Sequence, residues 1–233
     1  LRWAMAAADW DTAVLLADRV LAATDNVAVR HEAMNEKAQA LRSLEHLDEA
    51  LALFEQVPTP ENLAARAELS LQLERYTAAA RLFGERRAAD PANADLLRPS
   101  AYAFERARQF ENAIAAYRTL LDREDTVETR LLLVTLLNSL KRHAEAWETL
   151  APLPRPADDL GVLRLQASTA FWAGRLRKAD DLFSSLRTRR PGDAASRRIE
   201  SDLGHALSAS GDLARAERIY RRLLAEGDDA VSR

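Results

Sequence analysis

Apolar residues recur along this chain at spacings of three and four, in short runs that stop and restart. Over residues 197–226, Ile199, Leu203, Gly204 and Leu207 share one helical face. Ser210-Gly211-Asp212 interrupts the period, and Leu213, Ala216, Ile219, Tyr220, Leu223 and Leu224 then form a second stripe. Two such stripes predict two amphipathic helices joined by a tight turn. Gly211 suits the left-handed residue just past a helix end, and Asp212 suits entry into the next helix.

The pattern repeats. Taking Ala216 as an anchor in the second helix, equivalent alanines fall at Ala13, Ala50, Ala79, Ala113, Ala146 and Ala179. The steps are 37, 29, 34, 33, 33 and 37 residues, the period of a stacked array of helical hairpins. Four residues after each anchor stands a large side chain: Phe54, Phe83, Tyr117, Leu150, Phe183 and Tyr220, with Ala17 as the exception. Three residues before it come Trp10, Leu47, Tyr76, Phe110, Leu176 and Leu213, with His143 in the fifth copy. Twelve residues before it comes a small residue, Ala38, Ala67, Ala101, Ala167 or Gly204, with the larger Val134 in one copy. Small residues let paired helices approach closely, and the large residue fills the space toward the next hairpin. A lone hairpin cannot bury both stripes, so its neighbours must complete the core.

These positions resemble the tetratricopeptide repeat family across essentially the whole chain. The sixth copy carries Ala167, Gly174, Leu176, Ala179, Phe183, Leu186 and Pro191 in the family's order, and the third carries Ala67, Tyr76, Ala79, Phe83 and Pro91. The expected fold is all-α, a right-handed solenoid of about seven repeats at residues 1–25, 31–59, 60–93, 94–126, 127–159, 160–192 and 197–229. The whole of 1–233 is expected to be a single solenoid, its first copy lacking most of its first helix. The chain opens in mid-pattern without Met, so it is expected to be a piece of a longer protein. Departures from the family pattern include Arg86 at an apolar position and Pro99 inside an expected helix, where it predicts a kink or a shifted start. The proline clusters at 57–60 and 151–156 are read as helix terminators in preference to binding loops, and 228–233 is expected to fray.

Composition supports helices: Gly and Pro number only 7 and 8 in 233 residues, and charged residues make up 30%. The absence of Cys excludes disulfides, thiolate metal sites and cysteine nucleophiles. No apolar run reaches the roughly 20 residues that span a bilayer. His31, His46, His143 and His205 sit in different copies without metal-ligand spacing, so no metal or cofactor is expected. No phosphate-binding glycine loop or nucleophile-elbow serine occurs. The acidic pairs Asp48-Glu49, Asp158-Asp159 and Asp180-Asp181 are read as helix starts or exposed faces. The basic residues Arg175, Arg177, Lys178, Arg187, Arg189, Arg190, Arg197 and Arg198 are read as a solvated face offset by Asp180, Asp181 and Asp193 in preference to a polyanion site. The net charge of -3 leads to no nucleic-acid expectation. The chain is not expected to be an enzyme.

The family resemblance implies that the first helix of each pair lines a concave face that holds a peptide segment or a helix of another protein. The implied contact residues are Asn35, Gln39, Arg42, Glu68, Gln72, Arg98, Tyr102, Arg106, Asn138, Arg164, Ser168, Phe171, Trp172 and His205. Glu32 and Glu61 stand where some relatives place the lysine of a carboxylate clamp, so that ligand is not expected. Residues 131–140 are read as a buried helix, with Leu132 and Leu136 as the alternative partner-facing pair. Phe171 and Trp172 point about 100° apart, so one of them is expected at the groove rim. In style the chain is similar to scaffold regions of bacterial exopolysaccharide secretion proteins, implying a periplasmic location, with cytoplasmic as the alternative. A docking module of a larger enzyme such as a glycosyltransferase is the other expectation.

Overall fold

The computed structural model describes residues 1–150, 152, 159–189 and 194–231. The described residues form α-helices and one short 3-10 turn, in two compact units, Leu1–Arg123 and Glu124–Arg233.

The first unit contains α1 (Arg2–Ala6), α2 (Trp10–Ala23), α3 (Val27–Ser43), α4 (Leu47–Gln56), α5 (Leu63–Gln72), α6 (Tyr76–Ala89), the 3-10 turn Ala94–Leu96, α7 (Leu97–Arg106) and α8 (Phe110–Arg123). The second contains α9 (Val127–Ser139), α10 (His143–Leu150), α11 (Leu160–Trp172), α12 (Leu176–Arg189), α13 (Ala194–Ala209) and α14 (Leu213–Val231). Each odd-numbered helix packs on the even-numbered helix that follows it. Within the units, α2 packs on α3, α4 on α5, α6 on α7, α10 on α11 and α12 on α13. This is the consecutive hairpin stacking of a tetratricopeptide-like solenoid.

All seven anchor alanines are buried, as are the small residues twelve positions before them. Phe54, Phe83, Tyr117, Leu150 and Phe183 are also buried, each worth about 1.5–3 kcal/mol relative to exposure. Every even-numbered helix starts three residues before its anchor. The preceding turn has one design in all seven hairpins. The residue five before the anchor has positive φ: Ala8, Glu45, Glu74, Arg108, Lys141, Gly174 and Gly211. Two backbone bonds close each turn, as where Glu45 N–H donates to Arg42 O (3.1 Å) and His46 N–H to Leu41 O (2.9 Å). They satisfy the last carbonyls of the first helix.

Close approach is most evident at Gly204. A Cβ there would meet Tyr220 Cε1 at 2.9 Å, so the tyrosine ring rests directly on the α13 backbone. Pro99 shifts the helix start: the 3-10 turn precedes α7, leaving Pro99 in the first turn, where its missing N–H is not needed. Arg86 is kept beside the core by lying over the Phe83 ring at 5.8 Å. The first proline cluster does terminate α4, and the loop after it is pinned by buried Asn62, whose Nδ2 donates to Val57 O at 2.6 Å. The second cluster lies outside the described residues apart from Pro152, as do Pro191, Arg190 and Asp193. α14 is described as far as Val231, and residues 232–233 of the stretch expected to fray lie outside the described residues.

Within α9, Leu133, Val134, Leu136 and Leu137 are buried, whereas Leu132 is 38% exposed. Residues 131–140 are therefore mainly a core helix. Leu136 faces inward, leaving Leu132 alone of the alternative pair at the surface. No helix among the described residues is long and apolar enough to cross a membrane.

Candidate functional site

In the first unit, the spacing of Asn35, Gln39 and Arg42 puts them along one side of α3, facing Glu68 on α5. These four line a concavity of about 660 Å³ together with Glu61 and Asn62. Arg42 Nη2 donates to Glu68 Oε2 at 2.9 Å across the two hairpins, and Arg86 approaches the same carboxylate at 3.8 Å. The Arg42 and Glu68 side chains remain 42% and 43% exposed. Asn35 Oδ1 is buried and accepts no hydrogen bond within the protein. Glu61 is held below the ordinary carboxylate range by its own backbone N–H and then by the Thr59 hydroxyl. The concavity thus offers the exposed Gln39 amide and the Arg42–Glu68 ion pair to an incoming polar group, with the Asn35 oxygen enclosed beneath them.

Gln72 is exposed further along α5. On α7, Arg98, Tyr102 and Arg106 are exposed at helical spacing, Tyr102 to 45%. Arg106 is ordered by Tyr76: its Nη2 donates to the phenol oxygen at 3.0 Å, and its guanidinium lies 4.6 Å from the ring centroid. Behind this face, the buried Tyr117 hydroxyl donates to Glu105 Oε2 at 3.0 Å. Burial and then Glu105 push that phenol well above its ordinary range, so it stays protonated.

The corresponding residues of the second unit are placed differently. Asn138 is engaged on both sides, its Nδ2 donating to Thr169 Oγ1 at 2.9 Å and its Oδ1 lying 3.1 Å from His143 Nδ1. Ser168 is buried, and its hydroxyl donates to Arg164 O at 3.0 Å. Arg164 is half-buried. Phe171 packs against the core, while Trp172 is 44% exposed with its ring centroid 5.5 Å from that of His143. His205 is exposed and meets the Tyr220 ring edge-on at 5.4 Å.

Asp180 corrects the reading of the acidic pairs as surface features. It is buried, with Oδ2 accepting from Arg215 Nη1 at 3.1 Å. Glu200, also buried, accepts from Arg187 Nη1 at 2.8 Å and from Arg222. Burial lowers the Arg187 pKa, with Glu200 opposing that shift. These charges face inward because α12, α13 and α14 enclose them, which helical spacing alone does not reveal. Asp159 does cap a helix as expected, accepting from Gly161 N–H at 2.9 Å and Val162 N–H at 3.0 Å. Among the described residues, no group of three or more His, Asp or Glu converges as a metal site.

Residues 201–230, within the last hairpin, match the family model described as tetratricopeptide repeat. No curated protein matches the chain by sequence. Among solved structures, a chain of the Naa15/Naa10 structure bound to HypK-THB aligns with a TM-score of 0.62 and 17% identity, covering 96% of this chain and 35% of that one. The C-terminal part of a TPR repeat-containing protein from Cytophaga hutchinsonii gives 0.57 and 17%, covering 83% and 79% of the two chains. MamA from Desulfovibrio magneticus gives 0.51 and 13%, covering 72% and 95%. At these identities the likeness is one of fold. The last-hairpin match and the repeat-protein neighbours together support the tetratricopeptide resemblance.

Proposed function

We propose that the chain is a non-catalytic protein–protein interaction scaffold whose odd-numbered helices hold a polar segment of a partner protein. The observation that carries this reading is the convergence of Asn35, Gln39, Arg42 and Glu68 on one concavity. Groups that hydrogen-bond a substrate-like segment discriminate strongly against partners that leave them unpaired. The exposed pair Tyr102 and Arg106 extends the same chemistry along α7, and tyrosine and arginine are enriched among residues that dominate binding. Residues 1–233 act as one binding module in this reading. Of the second-unit residues, Trp172 and His205 are assigned partner contact, while Asn138 and Ser168 order the helices behind them.

The test is affinity capture with the chain as bait, beside Gln39→Ala/Arg42→Ala and Tyr102→Ala/Arg106→Ala variants. Proteins retained by the original chain and lost with both variants support the reading. An identical retained set for all three removes it. Periplasmic exopolysaccharide export draws support from none of the structural neighbours, and neither does docking within a glycosyltransferase. The complete gene separates them: a downstream outer-membrane barrel favours export, and a fused transferase favours docking.

A further inference from the structure

A second groove lies in the second unit, between the hairpin turns that precede α12 and α14. Its volume is about 660 Å³, and its lining includes Arg175, Leu176, Arg177, Lys178, Leu207 and Asp212. Leu207 is buried and Leu176 half-buried, so the lining has an apolar component between charged residues. The three cations are exposed. Arg177 reaches Asp212 only at 3.5 Å, with 80% of its side chain in solvent. Among the described residues, Arg175 and Lys178 have no carboxylate partner.

Several cations elsewhere are paired. Arg42, Arg75, Arg130 and Arg215 each hold a carboxylate. The comparable turn groove of the first unit, about 550 Å³ and lined by Arg75, Tyr76, Arg106 and Arg108, has two of its cations engaged. Arg75 pairs with Asp48, and Arg106 lies on Tyr76. The three cations of the second-unit groove also flank or occupy the first turn of α12, which contains no acidic residue. The dipole of a helix favours anions at that end, so a carboxylate arriving from outside would answer both the local charge and the dipole.

We propose that this groove docks an acidic peptide segment of a partner protein, with one apolar side chain over Leu176 and Leu207 and carboxylates on either side. The apolar lining and the small number of cations set it apart from a nucleic-acid surface, which gains affinity by neutralising many phosphates. The site is separate from the odd-helix contact face and does not depend on it.

The experiment is fluorescence anisotropy on the full 233-residue chain, with a short fluorescein-labelled peptide carrying a central Leu between Asp and Glu residues. Expected are saturable binding that weakens with salt and about tenfold weaker binding by Arg175→Glu/Arg177→Glu/Lys178→Glu. Full binding by Arg221→Glu, an exposed cation on another face, is expected too, as is weaker binding when the peptide Leu becomes Ser. The triple variant should melt only a little lower than the original, because it loses the exposed Arg177–Asp212 pair and sets acids near Asp181, while the α12 N-terminus favours them. Should it nevertheless unfold, Arg175→Gln/Lys178→Gln must still weaken binding severalfold. Absence of binding, equal loss with Arg221→Glu, unchanged affinity in the glutamine variant, or equally tight binding of an oligothymidine probe would each overturn the proposal.

Discussion

Two ion-paired regions with the same local fold use charge in opposite ways. Between α3 and α5, Arg42 and Glu68 meet at the surface, each about two-fifths exposed. Among α12, α13 and α14, Asp180 and Glu200 retain side-chain exposures of only 6% and 5% and hold Arg187 and Arg215, with Arg222 also on Glu200. The exposed pair can exchange its partner for a ligand with little penalty, since surface pairs contribute about 0–1 kcal/mol. The buried set cannot, because removing one member leaves charge enclosed without compensation. Repetition of a hairpin therefore fixes where helices lie, while burial decides whether a charged residue recognises or holds.

The largest expected effect breaks the buried side of this contrast. Glu200→Ala should cost about 3–5 kcal/mol by stranding Arg187 and Arg222, whereas Glu68→Ala should cost less than about 1 kcal/mol. Chemical denaturation of the two variants checks this, and equal losses would erase the distinction. Next comes Gly204→Ala, which should cost about 1–3 kcal/mol because its methyl group collides with Tyr220. Restoring stability with Gly204→Ala/Tyr220→Leu would locate the cause in that contact.

The hairpin turns carry smaller effects. Gly174→Ala forces a Cβ into a left-handed residue and should cost about 1–2 kcal/mol, while Lys141→Gly at the equivalent turn should stabilise by up to about 1 kcal/mol. Opposite shifts in melting temperature are the expected result. The smallest effects separate two carboxylates by pH. Its hydrogen bond to Arg130 holds Asp125 below the ordinary range, so its contribution is present above the usual aspartate value and disappears as pH falls through the folded one. Glu36 is raised by burial and then by Glu32, so folding disfavours its charge. Melting curves should show Asp125→Asn slightly destabilised at neutral pH and Glu36→Gln slightly stabilised, with both differences closing on acidification.

The fold was legible because its determinants are local and periodic. The seven alanines mark the buried positions, and their spacing gives the start of every even-numbered helix. Five turn residues escaped notice because Ala8, Glu45, Glu74, Arg108 and Lys141 carry no glycine signal, although backbone bonds hold them left-handed. The convergence of Asn35, Gln39, Arg42 and Glu68 follows partly from helical spacing, but the Arg42–Glu68 pairing depends on how two hairpins meet. Glu200 and Asp180 were least legible. Their partners lie on other helices, and a charged residue at a polar-looking position gives no sequence sign of burial.

Each hairpin completes its interior with its neighbours. Amide hydrogen exchange of Phe183→Ala compared with the original chain tests it most directly. Reduced protection is expected in α11, α12, α13 and α14, with protection in α3 through α6 retained, because loss spreads to adjoining hairpins before distant ones. An equal loss of protection across all these helices would contradict it.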